Sequence, residues 1–194
     1  MNNRSFYFLR HSDAVPGIDG EDDTHRPLTL EGNRKAQRLR AWFEGKKFGK
    51  IFCSPAVRAQ ETAQTVMGSM IESHFNILDT LYTLEGQQGR LETMFQHLRE
   101  APLHQYQLHP FGHHLNEQGL RSARAIRWVV NGGVEGDVLV VAHHAINQVT
   151  SHHLIRHPAV YELALEVILP PCGLMKISIG AAEQDVTAEV VNWE

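Results

Sequence analysis

The chain has 194 residues, 42% of them hydrophobic and 21% charged, which suffices to bury a full core and excludes disorder as the main state. A formal net charge of −4 excludes bulk electrostatic capture of nucleic acid or an anionic membrane, so any anion site must be local. Cys53 and Cys172 match neither a CxxC nor a zinc spacing, and no apolar stretch reaches signal-peptide or membrane-span length. The expectation is a cytoplasmic protein with no membrane or nucleic-acid partner.

Phe6-Tyr7-Phe8-Leu9 is a bulky apolar run that reads as a buried strand, and the polar break at Arg10-His11 marks its carboxyl end. In an open α/β sheet ligands bind beyond the carboxyl ends of strands, where a guanidinium and an imidazole can meet an anion and attack it. Residues 14–27, with two glycines, two prolines and the acidic run Glu21-Asp22-Asp23, read as an exposed loop. Thr29 then caps a predicted helix through about Glu44, with Leu30, Ala36, Leu39 and Phe43 as its apolar stripe. Ile51-Phe52 forms a second strand. Ser54 as cap and Pro55 at the first helical position start the next helix, whose face is Ala56, Ala59, Ala63, Val66 and Met70. That helix carries Arg58 in its first turn, beside free backbone donors and the positive end of the helix dipole.

Residues 75–83 read as extended and 84–89 as a turn-rich loop. Leu91, Met94, Phe95 and Leu98 suggest a short amphipathic helix, and 102–116 a loop-rich, lid-like insertion within a single domain. A helix is predicted from about Glu117 to Val130, with Leu120, Ala123, Ile126 and Val130 inward and Asn131-Gly132-Gly133 ending it. Asp137 to Ala142 reads as a central parallel strand ending on His143, with a helix following through Ile146, Val149 and His153. The thirteen histidines include the adjacent pairs His113-His114, His143-His144 and His152-His153. Adjacent side chains diverge, so these pairs do not read as metal chelates, and most of the histidines are expected at the surface.

Four fragments in order resemble the histidine phosphatase superfamily, specifically its larger branch, which contains the phosphoglycerate mutases and many small phosphatases. They are Leu9-Arg10-His11; Leu28-Thr29-Leu30-Glu31-Gly32 with Ala36; Ser54-Pro55-Ala56-Val57-Arg58-Ala59 with Glu61-Thr62-Ala63; and Val141-Ala142-His143. The resemblance covers about residues 6 to 192. It implies a three-layer α/β sandwich with a mainly parallel central sheet flanked by helices, phosphoglycerate mutase-like, with strands near 174–179 and 188–193.

The resemblance also implies a chemistry. His11 attacks phosphorus to form a phosphohistidine, while Arg10, Arg58 and His143 surround the phosphoryl oxygens and the two arginines help keep His11 neutral. His144 stands where the family has glycine and either adds a substrate contact or narrows the site. The general acid is a glutamate in a loop after the Arg58 helix. Glu85 suits that place, a shifted alignment puts Thr83 there, and Asp13 is the reserve. Neither a metal nor a cofactor is implied. The expected activity is a metal-independent phosphatase acting on phosphomonoesters or phosphohistidine, its substrate a small phosphorylated molecule or a phosphoprotein. The alternatives are a phosphomutase of the phosphoglycerate mutase type and a catalytically weak phospho-ligand binding protein. Ser12 stands where the family commonly has glycine, a small change that still lets phosphate approach, whereas Ala14 and Gly17, without the hydroxyl and amide of the mutases, and the short chain favour water as the phosphoryl acceptor. Natural substrate and oligomeric state stay open at this level.

Overall fold

In the computed structural model, residues 3–18, 22–68, 75–82, 110–182 and 185–193 are described. Among them six strands form one sheet: β1 (Arg4–Arg10), β2 (Phe48–Cys53), β3 (Phe75–Ile77), β4 (Asp137–Ala142), β5 (Leu174–Ile179) and β6 (Val186–Val191), in the order β3-β2-β4-β1-β5-β6. The pairings of β1 with β4, β4 with β2 and β2 with β3 are parallel, whereas β5 runs antiparallel to both β1 and β6. The helices are α1 (Leu30–Phe43), α2 (Val57–Met67), α3 (Pro110–Asn131), α4 (His144–Leu154) and α5 (Pro158–Glu166). Among the described residues no helix is long and apolar enough to cross a membrane.

Alternation along the strands builds two cores, because successive side chains leave a strand on opposite faces. Phe6 and Phe8 of β1, with Val138 and Val140 of β4, pack under Leu115, Ala123, Ile126 and Val130 of α3 and Ile146 of α4. Tyr7 and Leu9, with Leu139 and Val141, pack under Ala36, Leu39 and Phe43 of α1 and Ala59, Ala63 and Val66 of α2. The result is the expected three-layer α/β sandwich with a mainly parallel sheet, and β1 and β4 are buried on both faces as their unbroken apolar runs require. Burying each such Phe or Leu is worth roughly 1.5–3 kcal/mol, so the strands carrying the polar site residues are also among the most firmly held.

Several sequence expectations are corrected. The third helix begins at Pro110 rather than near Glu117, so residues 110–116 are helical and not part of a loop. The rest of that expected insertion, the loop at 84–89 and the helix around Leu91–Leu98 lie outside the described residues. Leu30, placed on the buried stripe of α1, is 69% exposed, because it is the first helical residue and points away from the sheet. Thr29 does cap this helix, its hydroxyl accepting the Gly32 N–H at 2.9 Å. Ser54 is not the cap residue of α2: the helix begins at Val57 with Ala56 as its cap residue, and the serine hydroxyl accepts the Ala56 N–H at 3.3 Å while meeting His143. Among the described histidines, His143 and His144 are buried.

Candidate active site

Register brings the distant motifs together. Arg10 pairs with Ala142, and Cys53 with Val141, so the next residues along, His11, His143 and Ser54, emerge at the same edge of the sheet. The ladder continues past the strand ends: His11 N–H donates to Ala142 O and Ser54 N–H to Val141 O, both at 2.9 Å. Asn147 of α4 adds its side-chain amide to Leu9 O at 3.0 Å. The start of α1 presses on the segment after His11, with Thr29 N–H on Asp13 O at 2.9 Å and the Ser12 hydroxyl on Gly32 O at 2.7 Å. A Cβ on Gly32 would fall 2.0 Å from Asp13 O, which explains glycine at this place. Ser12 N–H donates to Thr62 Oγ1 at 3.0 Å, and that hydroxyl in turn donates to Arg58 O at 2.7 Å.

The His11 ring has a defined tautomer. Its Nδ1 lies 2.7 Å from Ser12 O, and a carbonyl only accepts, so Nδ1 carries the proton and Nε2 presents a lone pair. Arg58 Nε stands 3.4 Å from that Nε2, and the His143 ring centroid is 5.0 Å from the His11 ring. Burial first, then the charge of Arg58, pushes the His11 pKa down to about 3, although the Ser12 carbonyl opposes the shift. The imidazole is therefore neutral at physiological pH. His143 is also held well below its ordinary value, by burial first and then by His11 and Arg58. Its Nε2 meets Ser54 Oγ at 2.9 Å, which fixes the ring plane.

The two arginines are mounted differently. Arg58 is buried, and Asp23 grips it through two oxygens: Nη1 donates to the backbone O at 2.7 Å and Nη2 to Oδ2 at 2.8 Å. Asp23 also pairs with Arg26 and accepts a longer bond, 3.4 Å, from the Tyr82 hydroxyl. Arg10 donates from Nη1 to Leu169 O at 2.6 Å. The turn carrying that carbonyl is tied to the His11 backbone: Arg10 N–H donates to Gly173 O at 2.9 Å and Cys172 N–H to His11 O at 3.3 Å. Cys172 holds this turn at φ 61°, a left-handed conformation unusual for a residue with a Cβ.

Of the residues singled out from sequence, the structure brings Arg10, His11, Arg58 and His143 to one edge. His144 is buried beside them, with Nδ1 accepting the Leu169 N–H at 3.3 Å. Asp13 is near enough to Arg10 for their charges to interact. Glu85 and Thr83 lie outside the described residues. Sequence reading missed Asp23, Ser54's contact with His143, Tyr82 and the 169–173 turn. For Asp23 a signal was present, an acid three residues before Arg26 in a loop otherwise poor in basic residues.

The chain can be set beside known proteins on this geometry. It is 36% identical over 63 residues, 31% of either chain, to the adenosylcobalamin/alpha-ribazole phosphatase of Escherichia coli (strain K12). It is 32% identical over 62 residues, 31% of this chain and 37% of the relative, to the phosphohistidine phosphatase SixA of the same organism. The matches thus span about a third of these relatives' length. The crystal structure of phosphoglycerate mutase from Bacillus anthracis str. Sterne superposes with a TM-score of 0.69 at 16% identity, covering 98% of this chain and 93% of that one, which shows a shared fold. The family model of the histidine phosphatase superfamily (branch 1) matches residues 6–192, nearly the whole chain, and the chain belongs to that family.

Proposed function

We propose that the protein is a metal-independent phosphatase that hydrolyses phosphomonoesters, or phosphohistidine, through a covalent phosphohistidine at His11. The observation that carries this reading is the neutral His11 imidazole, its Nδ1–H on the Ser12 carbonyl at 2.7 Å and its Nε2 beside Arg58. Attack by Nε2 forms the N–P bond as the P–O bond to the leaving group breaks. Positive charge then develops on the ring, and the Ser12 carbonyl stabilises it through Nδ1–H. Arg10, Arg58 and His143 hold the equatorial oxygens, so charge stabilisation and alignment supply most of the rate. Glu85 protonates the leaving oxygen and afterwards takes a proton from the water that attacks phosphorus, releasing inorganic phosphate and regenerating neutral His11. The names of the Escherichia coli relatives support a phosphorylated small molecule or a phosphoprotein as substrate.

The test is phosphate release from an aryl phosphate in EDTA, comparing the native chain with His11→Ala, together with an acid-labile, base-stable phosphoryl label on the native protein. Turnover and label should both survive the chelator and vanish in His11→Ala. Release that persists in His11→Ala overturns the mechanism. Exchange of label between hydroxyl compounds without net release replaces the phosphatase by a phosphomutase. Phosphate binding without turnover or label leaves a binding protein on this fold.

A further inference from the structure

We propose that His144 is a positioning residue that sets Arg10 for phosphoryl binding through Leu169, rather than a contact to substrate. This rests on the reading of Arg10 given above and explains the imidazole at the start of α4.

The connection is short and continuous. His144 Nδ1 accepts the Leu169 N–H at 3.3 Å, and Leu169 O accepts Arg10 Nη1 at 2.6 Å. Leu169 is 2% exposed, so its N–H has little access to water as a substitute partner. Two prolines follow it, Pro170 and Pro171, neither with an N–H, which makes the Leu169 amide the sole backbone donor of residues 169–171. One turn further along α4, Gln148 Nε2 donates to Val167 O at 2.9 Å, so the same helix face grips the incoming segment twice. Beyond the prolines the chain is held by Cys172 N–H on His11 O and Gly173 O on Arg10 N–H. The Leu169 carbonyl is therefore located from one side by the His11 backbone and from the other by His144.

An imidazole suits this place because it accepts a hydrogen bond without bringing negative charge. A carboxylate there would pair with Arg10 and draw the guanidinium out of the pocket. Burial, with the charge of Arg10 second, pushes the His144 pKa down to about 4, so the ring is neutral and Nδ1 keeps its lone pair at physiological pH. Removing the acceptor would strand a buried N–H, and the segment relieves that by shifting, which takes the Leu169 carbonyl and the Arg10 guanidinium with it.

The experiment is a double-mutant cycle on the full chain, reading inorganic phosphate affinity by calorimetry and aryl phosphate turnover beside it. Arg10→Ala should weaken phosphate binding about a hundredfold and His144→Leu about tenfold. The double variant should be within about twofold of Arg10→Ala, because the effect of His144 on phosphate runs through that arginine. His144→Asn, which keeps an acceptor near the Nδ1 position, should recover most of the loss, whereas His144→Gln, with its acceptor near Nε2, should not. The Asn and Gln pair decides the matter even if His144→Leu fails to fold. Multiplying losses in the double variant, or a folded Gln variant with native affinity, overturns the inference while leaving the phosphatase reading intact. Unchanged phosphate affinity in Arg10→Ala overturns the inference together with the role assigned to Arg10.

Discussion

The two walls of the site hold equivalent guanidinium groups by opposite means. On the α2 side one acidic residue, Asp23, grips Arg58 through its carboxylate and its backbone O, and the carboxylate is shared with Arg26 and Tyr82. On the β5 side a neutral backbone carbonyl, Leu169 O, holds Arg10, and its own support is another neutral group, His144. A carboxylate fixes a guanidinium strongly but subtracts from the positive potential that attracts phosphate; a carbonyl fixes it less strongly and leaves the full charge available. The site thus combines one arginine paired directly with a carboxylate and one hydrogen-bonded to a neutral carbonyl, whose charge Asp13 offsets less directly and whose placement depends on packing.

Removing either guanidinium breaks this comparison at its source. Arg58→Ala should cost about 4 kcal/mol of transition-state stabilisation, a loss of kcat/KM on the order of a thousandfold, measured on an aryl phosphate. The loss should exceed that of Arg10→Ala, because Arg58 also stands beside the His11 lone pair.

Acid should act on the neutral wall through stability. The His144 pKa is about 4 in the fold and near 6.5 when unfolded, so between those values the unfolded chain binds the proton and the native chain does not. The stabilisation is fully present above pH 6.5 and is lost as pH falls towards 4, at about 1.4 kcal/mol per pH unit and up to roughly 3 kcal/mol in all. His11 and His143, also depressed, steepen the same window. Denaturant midpoints between pH 7 and 4 should show the decline, and His144→Leu should flatten it by one proton's worth. An unchanged slope in that variant would mean that His144 is not the neutral buried base described here.

On the ionic wall the effect is smaller, because the backbone O of Asp23 still holds Nη1 when the carboxylate is gone. Asp23→Ala should lower kcat/KM about tenfold, close to 1.4 kcal/mol, and Asp23→Asn about threefold, since the amide oxygen still accepts from Nη2. A gain in activity would mean that relief of negative charge outweighs the lost alignment, and would reverse the comparison.

Most of the fold was legible because it rests on local pattern. The apolar runs of β1 and β4, the Thr29 cap and the break at Asn131-Gly132-Gly133 each declare an element within a few residues. The positions of Arg10, His11, Arg58 and His143 followed from strand ends and a helix start. What stayed hidden depends on contacts made across the chain. Asp23 looks like one more acid in a solvated loop until the fold brings it to Arg58. Ser54 looks like a helix cap because Ser-Pro has that chemistry, but the helix begins two residues later, and the hydroxyl that accepts the Ala56 N–H also reaches His143. The support of Arg10 by a carbonyl could not be read from any side chain, since every residue type carries one.

The place of β1 in the sheet bears on how the molecule comes into being. Its two neighbours are β4 and β5, both distant in sequence, with Phe6 opposite Val138 on one side and Ile177 on the other. A strand buried between partners so far along the sequence is locked only when both of them are in place. Such long-range pairing closes large loops before any contact rewards it, which slows folding. His11, at the end of β1, is therefore fixed late, and no folding intermediate that lacks β4 can hold the finished site.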